Sequence, residues 1–76
     1  MKISYDAATD TLTVVLRDVS ARISEEEKSG VILDDDADDR LVALEILDAS
    51  TRVDGVDIVQ LQVMGKPGVK KPAAAE

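Results

Sequence analysis

The chain has 76 residues and contains neither cysteine nor histidine. Without cysteine there is no disulfide and no thiolate metal site. Without histidine the remaining general acids and bases are carboxylates, lysine and tyrosine. Tryptophan and phenylalanine are also missing, and tyrosine occurs once. A core must therefore be made of Val, Ile and Leu, whose branched shapes suit a pleated, half-buried surface. No apolar run approaches the ~20 residues of a membrane-spanning helix. The start, MKISYDAATD, lacks the apolar stretch of a signal peptide. Basic charge is scarce: the net charge is -7. Nucleic acid, whose phosphates such a surface repels, is excluded as an expected partner. The missing cysteine fits a reducing compartment, so the expectation is a cytoplasmic protein with no membrane partner and no cofactor.

A chain this short makes one domain and buries only about 60% of its unfolded surface. With no disulfide or metal to staple it, self-association is the expected substitute. Residues 1–64 hold 15 acids and 6 bases, a balance of -9, whereas 65–76 hold three lysines and one glutamate, a balance of +2. The reading is a single β-rich domain over residues 1–64. The segment 65–76, GKPGVKKPAAAE, reads as a disordered C-terminal tail, because it has little to bury.

Strands are expected at Lys2–Tyr5, Thr11–Arg17, Gly30–Asp34, Leu41–Leu47 and Asp57–Met64, with turns at Asp6–Asp10 and Asp48–Thr51. Ala21–Glu27 reads as a short edge strand whose glutamates, Glu25, Glu26 and Glu27, discourage unwanted pairing. A helical turn is the competing reading there, since Ser24 and Glu27 match a capping box, but Gly30 interrupts the apolar run that should follow. In Leu41–Leu47, Val42, Leu44 and Ile46 share one face and Leu41, Ala43, Glu45 and Leu47 the other. Largely apolar faces on both sides suggest a strand covered twice. No segment carries a helical period. The expected fold is all-β or β-rich: a small, mainly antiparallel sheet of four to five strands joined by short turns and packed against a second copy.

The stretch GVILDDDADDRLVALEIL, Gly30 to Leu47, supports two functional readings. Placed at position 1 of a calcium loop, Asp34 is followed by Asp36 at 3, Asp38 at 5, the Arg40 carbonyl at 7 and Glu45 at 12. Those are hard oxygen ligands at calcium-loop spacing. Against it stand Asp39 in place of the turn glycine and β-type flanks, which carry Glu45 more than ~10 Å from the tip. The favoured reading is a hairpin with its tip at Asp36-Ala37-Asp38-Asp39. Catalysis has little support: Ser20, Ser24, Ser29 and Ser50 have no neighbouring base, and Gly65-Lys66-Pro67-Gly68 is no phosphate loop.

The start MKISYDAATDTLTVVL and the later GVILDDDADDRLVALEILDAS together resemble the small bacterial DUF2283 proteins, a family of unknown function. The resemblance rests on the Tyr5-Asp6 pair, the Asp-rich tip and the Leu41 to Ser50 stretch, and it covers residues 1 to about 53. Departures are Asp39 for a customary glycine and Thr11 and Thr13 for more apolar residues. The family carries no catalytic residues over to this chain. It resembles small partner proteins found beside toxin-like neighbours, which implies an antitoxin or adaptor role. The expected function is thus a non-enzymatic, homo-oligomeric interaction module. Val42, Leu44 and Ile46 would serve self-association, and Glu25, Glu26 and Glu27 a basic protein partner. The alternative is a calcium or other cation bound through Asp34, Asp36 and Asp38 in the Asp34–Asp39 loop.

Overall fold

A computed structural model of the chain describes residues 1–65. Five strands form one sheet: β1 (Lys2–Asp6), β2 (Thr11–Val15), β3 (Ile23–Lys28), β4 (Val31–Asp35) and β5 (Leu41–Ile46). Their order across the sheet is β1-β2-β5-β4-β3, and every neighbouring pair is antiparallel. The most apolar strand, β5, takes the centre, where it has a partner on each side. The polar strands β1 and β3 take the edges.

Register sorts the side chains into two unlike faces. Directly paired residues of antiparallel strands lie on the same side. One ladder runs Tyr5, Leu12, Ile46, Val31, Lys28 across all five strands. The next runs Ile3, Val14, Leu44, Leu33, Glu25. This face is apolar except at its β3 margin. The opposite face carries Ser4, Thr13, Glu45, Ile32, Glu26 and then Lys2, Val15, Ala43, Asp34, Ser24. The expected two-faced apolar character of β5 is therefore corrected: Thr13 and Asp34 beside Glu45 make its second side mainly polar. Leu44 and Ile46 share one face; Val42 falls at a register shift, where Ala43 pairs with Asp34 but Leu41 with Asp35.

A short helix, α1 (Ala49–Arg52), stands where a plain turn is expected at Asp48–Thr51. Four residues are too few to leave a periodic signal. Asp48 enters it in the left-handed region at φ 52°. The helix spans one end of the sheet. The Ala49 N–H donates to the Asp10 carbonyl at 2.9 Å, in the β1–β2 turn. Farther on, the Arg52 guanidinium lies against Gly30 in the β3–β4 turn. Gly30 has φ +79°, which calls for glycine; a Cβ there would also sit 2.8 Å from Arg52 Nη2, the end of a flexible side chain that would have to move aside.

The expected strand Asp57–Met64 does not form. After a turn in which the Ile58 N–H donates to Gly55 O at 3.0 Å, the chain runs on without strand pairing. Its alternation is strand-like, but it pairs with neither open edge of the sheet, β1 or β3. Ala21–Glu27 becomes the edge strand Ile23–Lys28, with a bulge between Glu26 and Lys28. Except for Gly65, the expected tail 65–76 lies outside the described residues.

Burial is slight. Among the described residues, the buried apolar side chains are Val42, Ala43 and Ala49. No large side chain is fully enclosed. Domains usually bury a sheet face against a second layer. Here α1 is too small to supply one.

Candidate interaction surfaces

The apolar face is the first surface. Leu12, Val14, Val31, Leu33, Leu44 and Ile46 are only half-buried on it, and Ile3 and Ile23 at its two edges are exposed. Val42, by contrast, is buried at 4% exposure. Leu44 and Ile46 lie in the middle of the uncovered ladders, in register with Leu33 and Val31 on one side and with Val14 and Leu12 on the other.

The second surface is acidic. The three glutamates of β3 are all exposed but face different ways. Glu25 pairs with Leu33 and so stands at the margin of the apolar face. Glu26 pairs with Ile32 on the polar face, and its Oε2 accepts the Gly30 N–H at 2.8 Å. Glu27 lies at the bulge. An edge strand with charges and a bulge resists pairing with another strand. Register places Asp34 and Asp35 beside Ser24 and Ile23, so the glutamates and the aspartate tip form one acidic edge.

The aspartates of the β4–β5 connection diverge. Asp34 is 7% exposed and accepts a hydrogen bond from Ser24 Oγ at 2.5 Å. It stands diagonally beside Glu45 on the polar face, one pair along from Ile32–Glu45. The Glu45 carboxyl is held above its ordinary pKa, first by its hydrogen bond with Asp34, then by partial burial and the charge of Asp34. Asp36 turns to the other end of the tip. Its Oδ2 accepts from Arg17 Nη2 at 2.8 Å, and its Oδ1 accepts the Asp38 and Arg40 N–H groups at 2.8 and 2.9 Å. Arg17 first, then the Arg40 and Asp38 backbone donors, hold the Asp36 pKa at about 2. Asp38 is exposed and lies 3.9 Å from Arg40. The structure thus does not bring Asp34, Asp36 and Asp38 together. Among the described residues no group of three acids, histidines or cysteines is arranged to hold a metal.

A third polar cluster centres on Asp10, in the left-handed region at φ 53°. Its carboxylate accepts Tyr5 Oη at 2.7 Å, Ser50 Oγ at 2.6 Å and the Ser50 N–H at 3.0 Å. The Ser50 and Tyr5 hydroxyls lower its pKa, and the same bond raises that of Tyr5. The donors come from β1 and α1, so the cluster fastens α1 to the first hairpin. An open depression of about 380 Å³ on the polar face is lined in part by Thr11, Thr13 and Glu45. No serine, cysteine or histidine there is paired with a base.

The model of a protein family of unknown function, DUF2283, matches residues 2–50. That is the sheet and the start of α1, well over half the chain. The chain belongs to the DUF2283 family. The DUF2283 match thus includes the whole apolar face, the acidic edge and the Asp10 cluster, and it ends before the unpaired segment 57–64. No curated protein and no solved structure matches the chain. No helix among the described residues is long and apolar enough to cross a membrane.

Sequence reasoning missed the Arg17–Asp36 and Asp34–Glu45 contacts. In the sequence Arg17 is simply the last residue of the expected strand Thr11–Arg17, and its role depends on β2 pairing with the distant β5 as well as with its sequence neighbour β1. The Asp34–Glu45 pair could have been found: once Asp36 to Asp39 is the tip of a hairpin, the alternation puts both on one face.

Proposed function

We propose that this DUF2283 protein is a non-enzymatic interaction module that associates with itself through the apolar sheet face. The uncovered face carries the reading. Two ladders of Val, Ile, Leu and Tyr cross the sheet half-exposed, while among the described residues the buried apolar set is Val42, Ala43 and Ala49. Stacking two such faces about 10 Å apart makes the second layer that the chain does not supply. Full burial of an exposed Leu or Ile contributes about 1.5–3 kcal/mol; these side chains are already half-buried, so each adds only part of that, and the several across the face together offset the cost of association. A cytoplasmic setting is part of the same reading.

The acidic edge would hold a basic protein, as an adaptor or antitoxin-like protein would. Glu25 and Glu27 with Asp38 and Asp39 put exposed negative charge on one side of the molecule, which steers a basic partner and makes association fall with salt. The alternative, a cation at the Asp34–Asp39 loop, has less support, because Asp34 and Asp36 are turned to Ser24 and Arg17.

Light scattering on the native chain and on Leu44→Asp tests the self-association. The native chain should be larger than a monomer at micromolar concentration. Leu44→Asp, with a charge in the middle of the shared face, should be monomeric or unfolded. Leu44→Ser, a milder change, keeps the test readable if the aspartate variant does not fold. Equal association of all three would sink the reading.

A further inference from the structure

Two charges of opposite sign stand at one margin of the apolar face. Lys28 ends the ladder of Tyr5, Leu12, Ile46 and Val31. Glu25 ends the ladder of Ile3, Val14, Leu44 and Leu33. Both belong to β3 and both are exposed. Among the described residues neither takes part in an ion pair. The other members of the two ladders are Val, Ile, Leu and Tyr, which fix no orientation for a second copy. The charged margin does.

Sheets that pack face to face keep their strands nearly aligned. A two-fold axis lying between two such sheets therefore runs either along the strands or across them. Along the strands, it exchanges the two edges, so β3 of one copy covers β1 of the other. Lys28 then lies over the partner's Tyr5 and Glu25 over the partner's Ile3. Four charges lose water against apolar side chains with no opposite charge in reach, which is costly.

Across the strands, the axis sets each strand over its own counterpart, running antiparallel to it. Midway between the two ladders, such an axis exchanges one ladder for the other. Ile46 meets the partner's Leu44, Val31 meets the partner's Leu33, and Lys28 meets the partner's Glu25. Each contact occurs twice. Moved onto either ladder, the same axis would set lysine over lysine or glutamate over glutamate, and like charges facing each other reject that register.

We infer that a second copy docks on the apolar face about a two-fold axis that runs across the strands, midway between the two ladders, with reciprocal Lys28–Glu25 ion pairs closing the β3 margin. This rests on the reading that the face is shared with a second copy. Burial of the ladders supplies the affinity. The ion pairs add little to it, being at the rim, but they choose the orientation and the register.

Charge reversal tests the pairing. In Glu25→Lys both contacts become lysine over lysine, and in Lys28→Glu both become glutamate over glutamate. Sedimentation equilibrium should show each variant associating about tenfold more weakly than the native chain. Mixed one to one, the two variants should regain native association, because every facing pair is again opposite. One chain carrying both reversals should regain it too. A control mixture of Asp38→Lys and Lys2→Glu makes the same changes of net charge at exposed positions outside the two ladders, so its gain on mixing measures general repulsion alone. Circular dichroism should be native throughout, since the side chains are exposed. Where a reversal does not fold, Glu25→Gln and Lys28→Gln take its place and should each lose a smaller factor. A native dimer that these changes leave equally tight, or a mixture that gains no more than the control, overturns this axis and leaves the shared face standing. A native chain that remains monomeric overturns both readings.

Discussion

Arg17 holds Asp36 across a gap of 19 residues, its Nη2 donating to the carboxylate at 2.8 Å. The same guanidinium donates through Nε to the Leu41 carbonyl at 3.0 Å and through Nη2 to the Arg40 carbonyl at 3.1 Å. It therefore ties the end of β2 to both sides of the β4–β5 tip. At the other end of the sheet, Asp10 and α1 join the β1–β2 turn to the β3–β4 turn. A sheet with so few buried apolar side chains depends on these two polar fastenings to hold its strand order.

The Arg17–Asp36 contact sets a pH response. The folded-state pKa of Asp36 is lowered from 3.8 to about 2. A lowered carboxyl pKa stabilises the fold above the unfolded value, and that stability is lost as pH falls through the folded value. Melting temperature should thus decline between about pH 4 and pH 2. Asp36→Asn should flatten this decline and lower the midpoint at pH 7. Thermal melts followed by circular dichroism would show it. An unchanged acid slope in the variant would remove Asp36 as its source.

Glu45 works in the opposite direction. Its pKa is raised from 4.5 by Asp34 and partial burial, so its contribution is fully present below that value and is lost as pH rises through the folded-state pKa. Glu45→Gln keeps a hydrogen-bonding neutral group beside Asp34. It should raise the melting temperature at pH 7 and have little effect at pH 4. A lower midpoint at pH 7 would mean that charged Glu45 is needed where it stands.

Two turn positions should respond with opposite signs. Asp39 sits at φ 61°, where a glycine is free of Cβ strain. Asp39→Gly should stabilise by about 0.5–1 kcal/mol in urea denaturation. Gly30→Ala should destabilise by about 1–2 kcal/mol, since φ +79° is strained for alanine. Adding Arg52→Ala should recover only the part of that loss due to the contact.

Calcium titration examines the aspartate tip. With Asp34 facing Ser24 and Asp36 facing Arg17, no saturable binding is expected below about 1 mM. Sub-micromolar binding lost in Asp36→Ala would require the tip to rearrange and would favour the cation-binding alternative.

The sequence was most legible where apolar and polar residues alternate. β1, β2, β4 and β5 lie within two residues of their expected limits, because period-2 patterning and turn-forming aspartates act locally. The hairpin tip at Asp36 to Asp39 was legible for the same reason, and the Asp39 N–H donates to the Asp36 carbonyl at 3.1 Å. The segment 57–64 was misread because its alternation states only that it suits an edge, and neither edge strand, β1 or β3, takes it up. The polarity of the second face was also misjudged from β5 alone. It depends on Thr13 and Asp34, which flank Glu45 only through the β2–β5 and β4–β5 registers.

Sedimentation equilibrium of the native chain at micromolar concentration asks most directly whether the apolar face is shared. The proposed module should give a mass at least twice the chain's 8.1 kDa. Because two acidic bodies repel, raising the salt should tighten the association rather than weaken it. A folded chain that sediments as a single 8.1 kDa species across that range, at low and high salt alike, would contradict it.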